Sequence, residues 1–507
     1  MDQFYIAILS VLVISIIWFI KVFFNPARRT PPLPPGPRGL PILGYLPFLG
    51  KNLLHQFGDL AHQYGPIFKL YLGNKLCVVI NSPSLVKEVV RDQDAIFADR
   101  DANVASLTAT YGGNDIAFSP HNAQWRAMRK IFVREVLSSS SLQASYNLRK
   151  DEVRKTIRDV YNNIGKRIQV GELSFRTELN VVMNMLWGGI VQGEEGQRVG
   201  DEFREVVIKL VDLLGKPNVA DFYPALARFD IQGVKKEMKG YVQCLDRIFE
   251  DVIAKYRKML SREIKKEGKK DFVQVLLELK EREDSYMSMS LTQIKALFVD
   301  VVGGGTDTSA TTIEWVMADL LNNPKAMEQV QKELSEVVGL NSIVEEFHLP
   351  RLKYLEAVLK ETMRLHPAVP LLVPRSPNQT SIIGGYTVPK RVTVFINVGW
   401  IQRDPSIWDT PSEFKPERFL NGNEKCDFSG NSFHYLPFGS GRRVCAGLPL
   451  AEKMLMYLLA SLLHSFEWKL PDGETVDMSD TFGIVLRKTT PLLAVPSPRL
   501  SEPNLYA

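Results

Sequence analysis

The sequence predicts a mainly helical protein with a smaller β region, folded as a single globular domain behind an N-terminal transmembrane helix. Three observations carry this: an apolar N-terminal run closed by prolines, long helix-compatible segments through most of the chain, and two short β-rich stretches. Hydrophobic residues at 45% and charged residues at 23% of 507 lie in the ordinary globular range, against general disorder or a multi-span membrane protein. The net charge of +5 is modest, and the basic run Lys265–Lys270 has no interleaved aromatics, so it reads as a solvated connector and no nucleic-acid partner is expected. The four cysteines, Cys77, Cys244, Cys426 and Cys445, are far apart and include no CxxC pair, which excludes a disulfide framework and a zinc site.

From Phe4 to Ile20 the side chains are apolar except for Tyr5, Ser10 and Ser15, and Val22 to Phe24 extend the run past Lys21. A helix rising about 1.5 Å per residue over this length crosses roughly 30 Å of hydrocarbon. Arg28 and Arg29 follow the run, whereas a cleaved signal peptide carries its basic residues ahead of it. By the positive-inside rule the remaining chain then faces the cytosol. Pro31-Pro32-Leu33-Pro34-Pro35-Gly36-Pro37 cannot be helical and forms a stiff spacer. The expected organisation is an anchor at 1–24, a basic and proline-rich hinge at 25–50, and one body at 51–507.

Within the body, Ile67 to Ile80 reads as a β-hairpin turning at Gly73-Asn74, and Ile382 to Asn397 as a second β region. Leu291 to Leu321 has the length and content of one long helix, interrupted by Gly303-Gly304-Gly305. Each glycine costs up to about 1 kcal/mol against alanine. Either the helix kinks and packs loosely there, or something must approach its backbone closely.

The segment Phe438-Gly439-Ser440-Gly441-Arg442-Arg443-Val444-Cys445-Ala446-Gly447 is a glycine-rich loop that delivers a sulfur to the start of the apolar run Leu448 to Leu463. A helix start lowers a thiol's pKa through its dipole and free N–H groups, and Arg443 can neutralise an anion nearby, so a thiolate ligand is expected at Cys445. Glu361 and Arg364, three apart, share a helical face on which a bidentate contact forms.

These segments resemble cytochromes P450. The haem-binding loop of that family matches at Phe438, Gly441, Arg443, Cys445 and Gly447; Glu361-Thr362-Met363-Arg364 is similar to its K-helix pair, and Pro416-Glu417-Arg418-Phe419 to the segment whose arginine completes that network. Trp125-Arg126-Ala127-Met128-Arg129 resembles the C-helix motif, and Gly305-Thr306-Asp307-Thr308-Ser309 the oxygen-activation motif. The sequence departs from the family at Gly304, where alanine is usual, and at Gln402, where plant relatives carry histidine.

The resemblance implies haem b (iron protoporphyrin IX), with Cys445 as the axial iron ligand and Trp125, Arg129, Arg375, Phe438, Arg443 and Gly447 around the cofactor. It makes Asp307 and Thr308 the proton-delivering catalytic pair, and Glu361, Arg364 and Arg418 a structural network. Pocket walls are expected at 100–121, 213–222, 298–306, 368–373 and 482–485, largely aliphatic, with Phe118, Gly304, Val369, Phe482 and Ile484 meeting the substrate. No GxGxxG follows a strand, so electrons must come from outside. The family's donor is NADPH, through a membrane-bound cytochrome P450 reductase docking on a basic face that includes Arg126 and Lys130.

The chain looks most like plant microsomal members of the endoplasmic reticulum membrane, which hydroxylate terpenoids and flavonoids with O2. An aliphatic pocket with few fixed donors favours a sesquiterpene or monoterpene over a flavone or flavanone. Two other classes are a reductase-independent haem-thiolate isomerase or dehydratase, and a non-catalytic anchored haem or ligand-binding protein. Requirement for NADPH and reductase separates both from a monooxygenase.

Overall fold

The computed structural model describes residues 31–187, 193–261, 272–281, 289–420 and 426–507. The expected anchor at 1–24, the first hinge residues and the basic run at 265–270 lie outside them. No helix among the described residues is long and apolar enough to cross a membrane.

The helices that position the site are α1 (Ala123–Ile131), α2 (Tyr146–Tyr161), α3 (Val170–Trp187), α4 (Gly193–Leu214), α5 (Val234–Ser261), α6 (Leu291–Gly305), α7 (Asp307–Asn322), α8 (Lys353–Leu365) and α9 (Leu448–Ser465). The strands used below are β1 (Ile67–Leu72), β2 (Lys75–Ile80), β3 (Asp99–Arg100), β4 (Arg375–Ser376), β5 (Thr393–Ile396), β6 (Asp480–Thr481) and β7 (Arg487–Lys488). The hairpin forms with Ile67 opposite Ile80. The second β region divides into 381–383, 386–388 and β5. β5 pairs parallel to β2 and antiparallel to β4, giving a sheet of order β1-β2-β5-β4-β3.

α7 is buried almost all the way round, which explains its lack of a polar face, and it packs on α3, α8 and α9. One core cluster, built on α7, α8 and α9, includes Ile313, Val358 and Leu458; another, from α3 to α6, includes Leu179, Phe249 and Phe298.

The long helix expected over 291–321 is two helices. α6 begins with a capping box, Ser290 and Gln293 satisfying each other's backbone N–H, and ends at Gly305; Thr306 (φ −105°, ψ −68°) separates it from α7. Around this break Thr306, Thr308 and Thr312 each donate their hydroxyl to the carbonyl four residues back, at 2.8 Å. Such back-bonding bends helices. The glycines add room: a Cβ on Gly303 or Gly304 would meet nothing within 4 Å.

Candidate functional site

Cys445 is held by a loop that only its glycines permit. Its N–H donates to Phe438 O (2.9 Å), closing the loop, and Phe438 is fixed edge-on against Phe428. Gly441 adopts φ +67°, and a Cβ there would lie 2.3 Å from Val90 O. The N–H groups of Gly447 and Leu448, at the start of α9, donate to the sulfur, and Arg129 is its neighbouring cation. Burial nevertheless outweighs all three and pushes the thiol up, against the expectation that the helix start would lower it. Cys445 keeps accessible area although protein surrounds it, so its sulfur has an open face. A thiol of this kind ionises when a metal takes the sulfur.

Four guanidiniums converge near this loop. Arg100 donates to Val373 O (2.5 Å) and Ala117 O (3.1 Å), Arg129 to Val444 O (2.6 Å), and Arg375 to Ser440 O (2.7 Å). Arg443 donates to the carbonyls of Ala98, Ile116 and Ser119. Among the charges pressing on Arg100 are Arg375, Arg443 and Arg129; burial first and then this repulsion hold it well below the usual guanidinium value, and Arg443 down to about 10. Asp94 pairs with the cluster at 3.2 Å from Arg375 and 3.3 Å from Arg442, and Asp99 and Asp115 add negative charge near Arg443, which leaves the guanidiniums in excess. A buried excess of cations calls for an anion. The two carboxylates of a haem fit that need, and the sulfur with its amide donors fits an iron ligand.

Three residues are placed differently from expectation. Arg443 turns into the protein rather than toward the sulfur. The Trp125 indole N–H, expected to face the cofactor, donates to Ile116 O (2.9 Å), while its ring carries the Arg443 guanidinium at 4.3 Å. Asp307, expected to deliver protons with Thr308, is clamped by Arg487, with Nη2 to Oδ2 at 2.9 Å; burial raises its carboxyl and Arg487 opposes that.

Glu361 and Arg364 meet in two bonds, 2.7 and 2.8 Å, fully buried, and Arg418 adds a third at 3.2 Å on Glu361. Gln402, buried, donates to Met363 O and accepts from Leu436 N, tying the end of α8 to the cysteine loop.

Phe482 and Ile484 line a cavity of about 500 Å³ with Leu213, but also with Lys209, Asp212, Lys216, Glu237 and Arg487. This cavity is therefore not the aliphatic pocket expected, and Phe118, Gly304 and Val369 are not part of its lining. Phe118 is positioned by two carboxylates that fall within the expected pocket walls but to which the sequence assigns no role of their own. Asp115 accepts its N–H (2.9 Å), and Asp300 of α6 accepts those of Ile116 (2.6 Å) and Ala117 (3.3 Å). Burial raises both carboxyls. Arg100, Asp94, Asp300 and Arg487 carry no local motif; their partners lie far along the chain.

The family model for Cytochrome P450 matches residues 34–495. This chain belongs to the cytochrome P450 family. It is similar to Cytochrome P450 76C2 of Arabidopsis thaliana, 38% identical over 96% of each chain. It is also similar to Flavonoid 3'-monooxygenase CYP75B137 of Crocosmia x crocosmiiflora, 37% identical over 99% of each. Among solved structures, a zebra fish cytochrome P450 with progesterone superimposes with a TM-score of 0.77 at 26% identity, covering 89% of this P450 and 100% of that chain. The protein is thus an oxidoreductase of the P450 monooxygenase family, and the family implies a haem cofactor and reductase-supplied electrons.

Proposed function

We propose that this P450 hydroxylates a small terpenoid, with Cys445 as the iron ligand. The observation that carries the assignment is the accessible Cys445 sulfur, held by two helix-start amides beside the surplus of guanidiniums. Haem b held there would supply the iron centre for the family's chemistry, in which O2, two electrons and two protons yield one oxygen atom inserted into a C–H bond and one water. Arg129, Arg375 and Arg443, joined by Arg100, would hold the two propionates, with Trp125 as a platform for Arg443. Phe438 and Gly447 shape the sulfur's surroundings. Asp307 and Thr308 pass protons toward the break after Gly305, where the Thr308 hydroxyl keeps its lone pairs free for an incoming donor.

The substrate rests above Gly304, whose missing Cβ leaves space, against Phe118 and Val369, with Phe482 and Ile484 at the outer end. The apolar side chains of Phe118, Val369, Phe482 and Ile484 suit an isoprenoid, although charged residues share the lining at the outer end. A flavonoid is the second reading, favoured by the names of relatives such as the flavonoid 3',5'-hydroxylase of Solanum melongena, 34% identical over 95% of this chain.

NADPH–cytochrome P450 reductase would dock on the face bearing the exposed Arg126 and Lys130. The apolar segment at 1–24 would anchor the protein in the endoplasmic reticulum membrane. Leu40, Ile42 and Leu43 are exposed, as are Leu226, Phe229 and Ile231; Tyr223 Oη donates to Ile42 O between the two segments, and together they would rest on lipid. Expression with a reductase and product analysis on a terpene and flavonoid panel tests the reading. NADPH-dependent terpenoid oxidation supports it; turnover of flavones or flavanones without terpenes overturns it, and turnover without NADPH points to an isomerase.

A further inference from the structure

Arg487 of β7 touches two carboxylates that belong to different elements. Its Nε and Nη2 hold Asp307 at the start of α7 (3.2, 3.3 and 2.9 Å), and its Nη1 holds Asp212 near the end of α4 at 2.8 Å. Arg487 and Asp212 both line the 500 Å³ cavity, and Asp307 does not. The guanidinium therefore stands between the cavity and the carboxyl behind it. Side-chain exposure follows the same order: 54% for Asp212, 41% for Arg487 and 10% for Asp307.

We propose that Arg487 is a positioning residue for the reaction: it sets the proton affinity of Asp307 and, through Asp212, makes that affinity depend on how the end of α4 lies against the β6–β7 hairpin. This rests on reading Asp307 as the proton-relay acid. One cation serves two anions. When α4 and the hairpin close on a molecule in the cavity, Asp212 draws the guanidinium outward, and Asp307 takes a proton from cavity water. When they relax, Arg487 returns, and Asp307 is held ionised after its proton has passed inward. Each cycle moves one proton from bulk solvent to the site, and the carboxylate is regenerated.

The charged groups around Asp307 fit this account. β7 contributes Arg487 and also Lys488, which acts on Glu314; α4 contributes Asp212; α7 itself contributes Glu314, two turns on and bonded to Leu492 N (2.8 Å). α3 carries Glu178, with no hydrogen-bond partner for its buried oxygen, and Asp300 of α6 is occupied by Ile116 and Ala117. Arg487 is thus the cation in contact with Asp307.

The test uses the full-length ferric holoenzyme, without turnover, and the Asp307 carboxyl C=O stretch followed by infrared spectroscopy against pH, assigned with Asp307→Asn. Arg487→Gln should raise the titration of Asp307 by about one pH unit, tenfold in proton affinity. Asp212→Asn should lower it, because it removes both a like charge and the competitor for Arg487. Arg487→Lys should fall between wild type and Arg487→Gln, and with Asp212→Asn it keeps the test open if Arg487→Gln does not fold. Product formed per NADPH consumed should show its pH dependence moving in the same directions. No shift, or shifts of the same sign in Arg487→Gln and Asp212→Asn, overturns the proposal. If Asp307→Asn keeps wild-type coupling of NADPH to product, the reading of Asp307 fails. If it uncouples the enzyme while the other variants leave the pH profile in place, only the role of Arg487 fails.

Discussion

At the scale of single residues, burial sets proton affinities more than local charge does. Glu178 is buried and its Oε1 has no partner, so desolvation alone pushes its carboxyl up from the ordinary 4.5 to about 8. A folded value above the unfolded one means that the ionisation cost is absent at acid pH and grows as pH rises through that interval, at about 1.4 kcal/mol per unit. Glu178→Gln should therefore gain stability over wild type progressively from about pH 5 to 8 and show no further gain above it. Thermal midpoints of the two proteins across this range decide the matter, and parallel curves would refute the assignment. Cys445 behaves similarly, since its thiol is raised by burial. Cys445→Ala should fold yet lose haem-thiolate absorbance, and retained absorbance would exclude the cysteine as ligand.

At the scale of elements, two glycines with different surroundings should respond oppositely to the same change. Gly304 sits one residue from the end of α6 with open space around its missing Cβ, so Gly304→Ala should preserve or raise stability, by up to about 1 kcal/mol of helix propensity. Its products should change in regiochemistry, because the added methyl occupies the space assigned to substrate. Gly441→Ala meets Val90 O and a positive φ, and should prevent the loop from closing and haem from being retained. The joint between α8 and the segment at Arg418 is equally sharp. Glu361→Gln leaves Arg364 and Arg418 without their buried anion, and chemical denaturation should show a loss of about 3–5 kcal/mol, or no folded protein.

On the whole molecule, one surface is apolar and another basic. Phe229→Asp with Ile231→Asp places charge in the exposed apolar patch assigned to lipid. The double variant, made in protein lacking residues 1–30, should sediment less with lipid vesicles; unchanged partition would remove the patch from the membrane assignment. Arg126→Glu with Lys130→Glu should raise the reductase concentration needed for half-maximal turnover, with the effect shrinking as salt increases. An effect independent of ionic strength would argue against docking there.

The sequence by itself determined the family, the hairpin at 67–80 and the interruption of the long helix, and it singled out the sulfur proposed here as the iron ligand. Each of these depends on residues close together in the chain, where spacing and backbone chemistry are enough. Only the tertiary structure decided the rest. The fourth guanidinium (Arg100), a paired carboxylate (Asp94), the Asp115–Asp300 support beneath Phe118 and the Arg487 clamp on Asp307 join residues up to 281 positions apart. Burial reversed the expected direction at Cys445 for the same reason. The desolvation of a group depends on what packs over it, and no local pattern carries that information.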